Sequence, residues 1–381
     1  MPIHANVADY RERARRRLPA PVFDFFDAGS GIENARNDNT DAFARYRPVP
    51  RVGRDVRNVD TSTSVFGQKI SFPMVVAPMG GLGFIWPDAE KSIAAAAGKL
   101  GVMMGLSTYS TLPMEEVARA GAGPKMFQLY LLTDEWLTQD LIARAKQSGF
   151  KALAVTIDVP VTPSRPRVDR WNLDGALGPV PLRTKLAIAR HPEWIRRQKQ
   201  AKTGFTDLAN RAAARGHVIG ADFYAKIAQQ NMNWGEIEKV GRRWDGPFAV
   251  KGVMSGDDAR RAVDCGAGTV VICNHGGIGL DHAPASLSLV EEVTKAVSGN
   301  AEVIQCGGLR QGSGIATALA MGARACMTGR PLAYGVAADG EEGATRVLEL
   351  LKKDFEDAMR LCGCTSVADF EQIKIQAPQR F

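Results

Sequence analysis

The residues of this sequence that are suited to proton transfer stand at the ends of short apolar segments. His275 ends one such segment and precedes Gly276 and Gly277, while Asp158 and Lys251 end two others. Histidine titrates near neutrality and is the most frequent general acid or base, and a carboxylate can orient an imidazole and stabilise its cationic form. The sequence therefore predicts His275 as a catalytic base with Asp158 as its partner. Lys251 fits either a Schiff-base lysine or a cation that stabilises a reduced cofactor or an oxyanion.

Two glycine turns in the last quarter of the chain carry arginines. They are Gly307-Gly308-Leu309-Arg310, with Gly312 shortly after, and Gly329-Arg330. Glycines allow the backbone to approach a ligand closely, a following helix N-terminus attracts an anion, and arginine binds phosphate through forked hydrogen bonds. We interpret the two turns as a phosphate site. The alternative is a pair of tight turns with surface arginines.

The composition is ordinary for a globular protein, with 45% hydrophobic and 23% charged residues. No uncharged apolar run reaches the roughly 18 residues that a membrane-spanning helix needs, and the N-terminal stretch lacks the apolar core of a secretory signal. Cys273, Cys306 and Cys326 lie in segments predicted as buried strands, which indicates reduced thiols and a cytoplasmic location. We interpret Cys362 and Cys364 as packing residues rather than as a metal or redox pair. No HExxH, HxxxH or clustered carboxylate pattern predicts a metal site.

Eight short apolar segments are predicted as parallel strands covered on both faces. They are Pro73–Ala77, Val102–Ser107, Lys125–Leu129, Ala152–Asp158, Pro247–Lys251, Thr269–Asn274, Glu302–Cys306 and Arg324–Thr328. Helical patterns lie between most of them, at Asp88–Leu100, Pro113–Ala120, Glu135–Ser148, Gly256–Cys265 and Gly312–Met321. Eight alternating units favour a (β/α)8 TIM barrel over an open doubly wound α/β sheet, and barrels carry their active sites at the carboxyl ends of the strands.

We predict a single domain over residues 1–381, in which the barrel carries two additions. Residues 1–68 are predicted as a helical cap, and a distance of 95 residues between the starts of the fourth and fifth strands marks a long insertion, placed at 166–222. The predicted helices of the two ends of the chain are Val7–Arg17, Pro21–Asp27 and the closing helix Gly343–Cys362.

The insertion concentrates the positive charge of the chain. Between residues 176 and 217 there are nine Lys and Arg and two acidic residues, and nine minus two equals the net charge of +7. Because Leu182, Leu186 and Trp194 lie among these charges, the segment fits a contact with an anionic membrane surface or an acidic partner. We favour the alternative, a solvated lid over the active site. No nucleic-acid-binding motif accompanies the charge, so nucleic acid is not predicted as a partner.

These motifs resemble those of the FMN-dependent α-hydroxy-acid dehydrogenase and oxidase family, which includes glycolate oxidase, L-lactate dehydrogenase and mandelate dehydrogenase. The resemblance covers nearly the whole chain, and Thr156-Ile157-Asp158, Val250-Lys251-Gly252-Val253 and Asn274-His275-Gly276-Gly277 carry it. The segment His191-Pro192-Glu193-Trp194 is similar to the lid of the bacterial lactate and mandelate dehydrogenases. The resemblance implies FMN as cofactor, a small-molecule substrate, oxygen or another electron acceptor, and a homo-oligomer, by expectation a homotetramer.

The resemblance also implies a role for each strand end. The cofactor would contact Pro78, Met79, Gly80, Ser107, Gln128, Thr156, Lys251, Cys273, Cys306, Gly307, Gly308, Leu309, Arg310, Gly329 and Arg330, of which the last six would hold its phosphate. Lys251 would stabilise the anionic reduced flavin. His275, held by Asp158, would take a proton from the substrate while the flavin receives a hydride. Arg165 would bind the substrate carboxylate, and Tyr130 would lie beside the substrate hydroxyl.

Four positions depart from the family pattern. Phe25 stands where the family has a tyrosine that binds the substrate carboxylate, and Ile278 stands where it has a second arginine for the same group. Cys306 replaces an aspartate, and Tyr109 replaces a common tryptophan. A charge-assisted hydrogen bond contributes about 1.5–3 kcal/mol. Losing two donors should therefore weaken a small hydroxy acid by about 3–6 kcal/mol, a factor on the order of 10²–10⁴.

We therefore predict hydride removal from a carbon that bears a hydroxyl or an amine, on a bulkier or less anionic substrate whose pocket is lined by Phe25 and Ile278. The first alternative is an ordinary L-2-hydroxy-acid dehydrogenase or oxidase with Arg165 as its sole carboxylate anchor. An FMN isomerase, as in the barrel-type isopentenyl diphosphate isomerases, and a flavin-binding protein without catalysis are the further alternatives.

Overall fold

The computed structural model describes residues 5–173, 179–201, 206–220, 223–228 and 232–377. Within these ranges eight parallel strands form a closed barrel, with β8 pairing against β1. In chain order β1 to β8 are Met74–Val76, Met103–Ser107, Lys125–Leu129, Ala152–Thr156, Phe248–Val253, Thr269–Cys273, Glu302–Cys306 and Ala325–Thr328. The strands β2, β3, β4 and β6 are buried at every position, as expected for parallel strands covered on both faces. The predicted (β/α)8 TIM barrel is confirmed.

Helices follow the strands and cover the outside of the barrel. They are Ala89–Lys99, Met114–Arg119, Glu135–Gln147, Trp234–Trp244, Gly256–Asp264, Val290–Val297, Ser313–Ala320 and Arg330–Leu361, with short 3-10 turns at Leu82–Phe84, Ser286–Leu289 and Val367–Gln372. The last helix starts at Arg330, directly after β8, and not at the predicted Gly343. Its backbone is non-helical at Asp339 and Gly340. This break divides the helix into two parts, and sequence analysis predicts only the part after the break.

The N-terminal cap combines helices with extended chain. Its helices are Val7–Arg17, Ala20–Asp27 and Asn34–Arg45. Two antiparallel ribbons follow, of which one pairs Arg47–Pro48 with Ile375–Gln376 and the other pairs Thr63–Val65 with Gln68–Ile70. The structure therefore adds extended segments to a region that sequence analysis describes as helical. The first ribbon joins the cap to the C-terminal end of the described chain.

The insertion after β4 is attached to the loop that follows β1. Its helices are Pro166–Asp169, Leu182–Ala189, Pro192–Ala201, Asp207–Ala214 and Phe223–Ile227, of which the last lies beyond the predicted end of the insertion at residue 222. Lys202 lies outside the described residues. Trp194 Nε1 donates to the Phe84 carbonyl at 2.8 Å, and Gln198 donates to the Gly83 carbonyl at 2.9 Å. The insertion therefore lies over the carboxyl ends of the strands. Across the described ranges, no helix combines the length and the apolar character that crossing a membrane requires.

Asp27 fixes the end of the second cap helix to the barrel. Its carboxylate is fully buried and accepts hydrogen bonds from Arg11 at 2.7 Å, Arg36 at 3.0 Å, Arg167 at 2.7 Å and the Tyr334 hydroxyl at 2.6 Å. Tyr334 belongs to the last helix and Arg167 to the insertion. One carboxylate thus joins the cap, the insertion and the barrel, and it positions the helix that carries Phe25.

Replacing Asp27 with asparagine is expected to lower the free energy of unfolding by about 3–5 kcal/mol, because removal of one partner leaves buried cations unpaired. Burial alone would raise the pKa of Asp27, but hydrogen bonds from Arg11 and Tyr334 hold it well below its ordinary value. The contribution of Asp27 is therefore complete above about pH 4 and is lost as the pH falls through the pKa of the folded state. Denaturant unfolding at pH 7 and at lower pH measures both effects. The control is Asp38→Asn, a half-exposed carboxylate, for which a change below about 1 kcal/mol is expected.

Candidate active site

The inward-facing side chains of the barrel change from apolar to polar at the carboxyl ends of the strands. Side chains alternate between the two faces of a strand. The interior residues Met126, Ala154, Ala249, Val271 and Ile304 are followed two positions later by Gln128, Thr156, Lys251, Cys273 and Cys306. With Ser107 at the end of β2, these buried residues form the floor of a site at the face where barrels carry their chemistry.

A line of three side chains connects the ends of β4, β6 and β3. His275 Nδ1 lies 3.2 Å from Asp158 Oδ1, and His275 Nε2 lies 3.2 Å from the Tyr130 hydroxyl. Burial alone would raise the pKa of Asp158, but the neighbouring His275 and Lys251 hold it below its ordinary value. The carboxylate is therefore ionised and can stabilise a protonated imidazole. Burial raises the pKa of Tyr130, so its hydroxyl stays protonated.

Two glycines near this line stand where a side chain would collide with a neighbouring residue. A Cβ on Gly252, which has φ +106°, would lie 2.6 Å from Asp158 Cβ, so the bulge in β5 gives the carboxylate its place. A Cβ on Gly277 would lie 2.3 Å from the Arg36 backbone nitrogen. His275 itself has φ +56°, a conformation that is strained for a residue with a side chain and that clusters at functional sites.

Lys251 supplies a fixed positive charge in the floor of the site. Its side chain is buried, and no hydrogen bond or ion pair joins it to another described residue. Burial alone would lower the pKa of Lys251, but the neighbouring Cys273 and Asp158 raise it above its ordinary value. The ammonium group therefore stays charged and faces the cavity, where it suits an anionic group of a ligand.

The same floor leaves two buried polar atoms without a protein partner. They are Gln128 Nε2 and Thr156 Oγ1, and buried polar groups in proteins almost always have a partner. Both belong to the residues assigned to the flavin ring. The loop of Pro78, Met79 and Gly80 lies beside them, since a Cβ on Gly80 would be 3.6 Å from Ser107 Oγ. A planar ligand with hydrogen-bonding edges, such as an isoalloxazine ring, fits these free atoms.

The two predicted phosphate turns lie side by side at the ends of β7 and β8. The Gly307 amide donates to the Met327 carbonyl at 3.3 Å, and a Cβ on Gly308 would lie 1.9 Å from the Asn39 carbonyl oxygen. Gly329 precedes the N-terminus of the last helix, where free backbone amides suit a phosphate. The Arg330 guanidinium instead donates to the carbonyls of Phe26, Ala28 and Gly276. These bonds use three of the five N–H donors of the guanidinium and fix its position beside the turn.

The Arg310 guanidinium makes fewer hydrogen bonds to the described part of the protein than that of Arg330. It donates to the Leu309 carbonyl at 2.8 Å. Burial lowers its pKa from the ordinary value, which indicates that the charge lies in an enclosed place. An enclosed guanidinium beside glycine amides favours a phosphate ligand.

Arg165 and Phe25 form one wall, at the edge of the cap. Arg165 donates to the carbonyls of Phe25 at 2.6 Å and Ala28 at 3.0 Å, and its guanidinium lies 5.4 Å from the centre of the Phe25 ring. Burial lowers the pKa of Arg165 to about 10. Ile278 is half-buried in the turn that follows His275. Arg165 thus shares the Ala28 carbonyl with Arg330, whose guanidinium also donates to the Gly276 carbonyl, so Arg165 lies close to the turn that carries His275.

Sequence analysis does not single out two groups that complete the site. Asn39 and Asn274 exchange side-chain hydrogen bonds of 2.7 and 3.2 Å, and Asn274 Oδ1 accepts from the Gly277 amide at 3.1 Å. This pair holds the His275 turn. Tyr224 of the insertion packs edge-on against Tyr109, and Tyr109 stacks on Tyr130 at 5.0 Å. Asn274 lies within the motif Asn274-His275-Gly276-Gly277, but nothing local in the sequence indicates that Asn39 is its partner or that Tyr224 packs on Tyr109.

A comparison with known protein families shows which family the chain belongs to. A model described as FMN-dependent dehydrogenase matches residues 14–377. The chain belongs to the FMN-dependent dehydrogenase family. Its cofactor is FMN, and it is an oxidoreductase that acts on a carbon bearing a hydroxyl group, as the sequence motifs predict.

This FMN-dependent dehydrogenase is similar to characterised oxidases over nearly its full length. It is 35% identical to glycolate oxidase 5 of Oryza sativa subsp. japonica over 366 residues, which are 96% of this chain and 93% of the relative. It is 36% identical to 4-hydroxymandelate oxidase of Amycolatopsis orientalis over 364 residues, 96% of each chain. The crystal structure of mandelate oxidase matches with a TM-score of 0.85 and 34% identity, covering 99% of this chain and 100% of that one.

Proposed function

We propose that this FMN-dependent dehydrogenase removes a hydride from a carbon bearing a hydroxyl or an amine, with His275 as the base. Its substrate is bulkier or less anionic than glycolate or lactate. The observation that supports the proposal most directly is the line Asp158–His275–Tyr130 at the end of a barrel of this family. Both ring nitrogens of His275 lie 3.2 Å from their partner, Nδ1 from the Asp158 carboxylate and Nε2 from the Tyr130 hydroxyl.

Each member of the line has one task. Tyr130 marks the place of the substrate hydroxyl, since its own hydroxyl already bonds to His275 Nε2. His275 takes the hydroxyl proton at Nε2, and Asp158 stabilises the imidazolium that results. FMN, when bound, accepts the hydride that leaves the substrate carbon. Lys251 keeps its positive charge throughout and offsets negative charge that arises in the floor of the site.

The expected cofactor contacts follow from the free groups of the site. Gln128, Thr156 and Ser107 would hold the flavin ring, next to the loop of Pro78, Met79 and Gly80. The glycine amides of the β7 and β8 turns, with Arg310, would hold the phosphate. Cys273 and Cys306 lie in the same floor.

The pocket walls support a substrate with a large apolar part. Phe25 is 41% exposed and offers an aromatic face instead of a hydroxyl, and Ile278 adds an aliphatic side chain near His275. The similar mandelate oxidase has been solved with (S)-4-hydroxymandelic acid and, as a variant, with 2-hydroxy-phenylacetamide. A substituted aromatic 2-hydroxy acid, or a neutral derivative of one, fits this combination of walls.

A second candidate is the ordinary oxidation of an L-2-hydroxy acid with Arg165 as sole anchor. Arg165 Nε is buried and has no partner within the described residues. This free donor at the wall of the pocket is the observation that favours a carboxylate ligand. Exchange of Arg165 for alanine would abolish turnover of acids in this case, but would spare neutral substrates if the first proposal holds.

We also propose that the insertion acts as a lid, rather than as a membrane contact. The support is its attachment through Trp194 and Gln198 to the β1 loop and through Tyr224 to the aromatic stack of the site. A single domain, a cytoplasmic location and a homo-oligomer stay predictions from the sequence.

The function is tested by anaerobic bleaching of the flavin absorbance with a panel of 2-hydroxy acids, 2-amino acids and bulky alcohols. Fast bleaching by bulky or neutral compounds, with slow bleaching by glycolate and lactate, is the expected result. Fast bleaching by glycolate or lactate would show that Phe25 and Ile278 do not exclude ordinary substrates. A flavin that no compound of the panel bleaches would contradict the proposed reaction.

The cofactor contacts are tested by Thr156→Val, which removes a hydroxyl that has no protein partner. We expect the dissociation constant of FMN to rise roughly fivefold, since one hydrogen bond contributes about 1 kcal/mol. Quenching of FMN fluorescence on binding measures the constant. Thr269→Val is the matched control, because Thr269 is a buried threonine at the amino end of β6, which is the end of the barrel away from the site. An unchanged constant in Thr156→Val would remove this residue from the flavin site.

A further inference from the structure

Two cysteines lie side by side in the polar floor of the flavin site. Cys273 is the last residue of β6 and Cys306 the last residue of β7, and the two are register partners in the barrel. Adjacent strands are about 4.8 Å apart, which falls within the separation of roughly 4.4–6.8 Å that a disulfide requires between Cα atoms. Their sulfur atoms are 3.4 Å apart and joined by a hydrogen bond. The reaction proposed above uses neither thiol.

The surroundings give the two sulfur atoms different character. As a thiol, Cys273 donates a hydrogen bond to Cys306 Sγ; its own sulfur accepts from the His275 amide at 3.2 Å and lies close to the charge of Lys251. When Cys273 loses its proton, the Cys306 thiol becomes the donor. This hydrogen bond and the charge of Lys251 lower the pKa of Cys273 despite its burial, whereas the neighbouring Cys273 and burial raise the pKa of Cys306. A thiolate next to a protonated thiol is the arrangement of a nucleophilic and a resolving cysteine.

We propose that Cys273 and Cys306 are a redox-active dithiol that closes to a disulfide inside the flavin site, which gives the chain a second two-electron centre beside FMN. The oxidant is a peroxide. The Cys273 thiolate attacks one peroxide oxygen, the O–O bond breaks, and a sulfenic acid forms at Cys273 while hydroxide leaves as water after protonation. The Cys306 thiol then attacks the sulfenic sulfur, the S–S bond forms, the S–O bond breaks and a second water leaves. Two thiols lose two electrons and two protons, and hydrogen peroxide becomes two waters.

Closure demands little movement of the strands. The sulfur atoms must approach from 3.4 Å to about 2.05 Å, which side-chain rotation can supply. Both cysteines are buried and belong to the cluster of inward-facing residues of the barrel rather than to the layer between strands and outer helices. A disulfide carries no charge, so its formation would remove the negative charge of the Cys273 thiolate beside Lys251 in the floor of the flavin site. The inference does not depend on which substrate the enzyme oxidises.

Thiol counting on the FMN-bound enzyme tests the proposal. The chain has six cysteines, so unfolding in denaturant should release six reactive thiols. After treatment with hydrogen peroxide and its removal by catalase, we expect six minus two, or four, and a return to six with dithiothreitol. Mass spectrometry should find the peptides of Cys273 and Cys306 joined and lighter by two hydrogen atoms. A count that stays at six, or oxygen atoms added to a single cysteine, would overturn the proposal.

Variants separate this pair from the other cysteines. Cys273→Ser should show five thiols before and after peroxide, because it lacks the attacking thiolate. Cys306→Ser should fall from five to four, because the sulfenic acid at Cys273 has no thiol to resolve it. Cys326→Ser, which alters a fully buried cysteine in β8, should fall from five to three. Anaerobic reductive titration gives a second measure. The peroxide-treated enzyme should take twice as much reductant per flavin as Cys306→Ser that has not been treated with peroxide, since flavin and disulfide each accept two electrons. Equal uptake would show that the disulfide, if formed, exchanges no electrons in the folded protein. A failed bleaching panel would leave these results unaffected.

Discussion

Replacing His275 with asparagine is expected to slow flavin reduction by the best substrate of the panel by about 10²–10⁴-fold, with FMN still bound. A positioned general base contributes a factor of this size, and asparagine keeps a polar side chain but cannot accept the proton. The loss should appear in the rate of reduction at saturating substrate rather than in the affinity for FMN. Anaerobic stopped-flow absorbance measures the first quantity, and FMN fluorescence measures the second.

The matched control is His282→Asn, because His282 is an exposed histidine seven residues along the same loop. Its rate of flavin reduction should equal that of the unaltered enzyme. Asp158→Asn should also reduce the rate, since the imidazolium would lose the carboxylate 3.2 Å from Nδ1. A His275→Asn enzyme that still reduces its flavin at the original rate would exclude His275 as the base and favour a different proton acceptor.

Restoring the missing donors should give this enzyme a high affinity for small hydroxy acids. In the double variant Phe25→Tyr with Ile278→Arg, the dissociation constants of lactate and glycolate are expected to fall by a factor on the order of 10²–10⁴. The reason is that two charge-assisted hydrogen bonds contribute about 3–6 kcal/mol. Phe25 packs against the Arg165 guanidinium, and the amide of the half-buried Ile278 donates to the His275 carbonyl at 3.3 Å, so we expect the new groups to converge on one carboxylate. Perturbation of the flavin spectrum by an unreactive carboxylate analogue measures binding separately from turnover.

Leu280→Arg provides the control for charge alone. Leu280 lies two residues after Ile278 but is 72% exposed, so an arginine there adds the same charge outside the pocket. It should change the affinity for lactate little. If the double variant behaves like this control, the pocket of the enzyme does not lie where Phe25 and Ile278 place it, and the argument for an altered substrate fails.

The barrel and the grouping of Asp158, His275 and Tyr130 at one end of it are predictable because their signals are local. Each strand is a short apolar run that ends in a polar residue, and β3 and β7 have the predicted bounds. His275, Asp158 and Tyr130 each follow the end of a strand, so the closure of the barrel brings them together without further information. The family motifs then supply the cofactor.

The remaining features depend on contacts between distant parts of the chain. The pairing of Asn39 with Asn274 spans 235 residues, and the bonds from Arg330 to Phe26 and Ala28 span more than 300. These carbonyls set the direction of the Arg330 side chain, and the local motif Gly329-Arg330 contains no information about them. The contact between Cys273 and Cys306 likewise needs the register of β6 and β7, which no local pattern contains.

The arginines at the Ala28 carbonyl have an electrostatic consequence. Arg165 and Arg330 are both held by peptide oxygens, and within the described ranges neither forms an ion pair with a carboxylate. A carbonyl dipole fixes a guanidinium in place without cancelling its full charge. We therefore expect a positive potential in the cavity that acts beyond contact distance and draws in negatively charged molecules, at rates that fall as salt is added. The side chains of Phe25 and Ile278 offer no hydrogen-bond donor, so an anion would arrive quickly without being held tightly by these two residues.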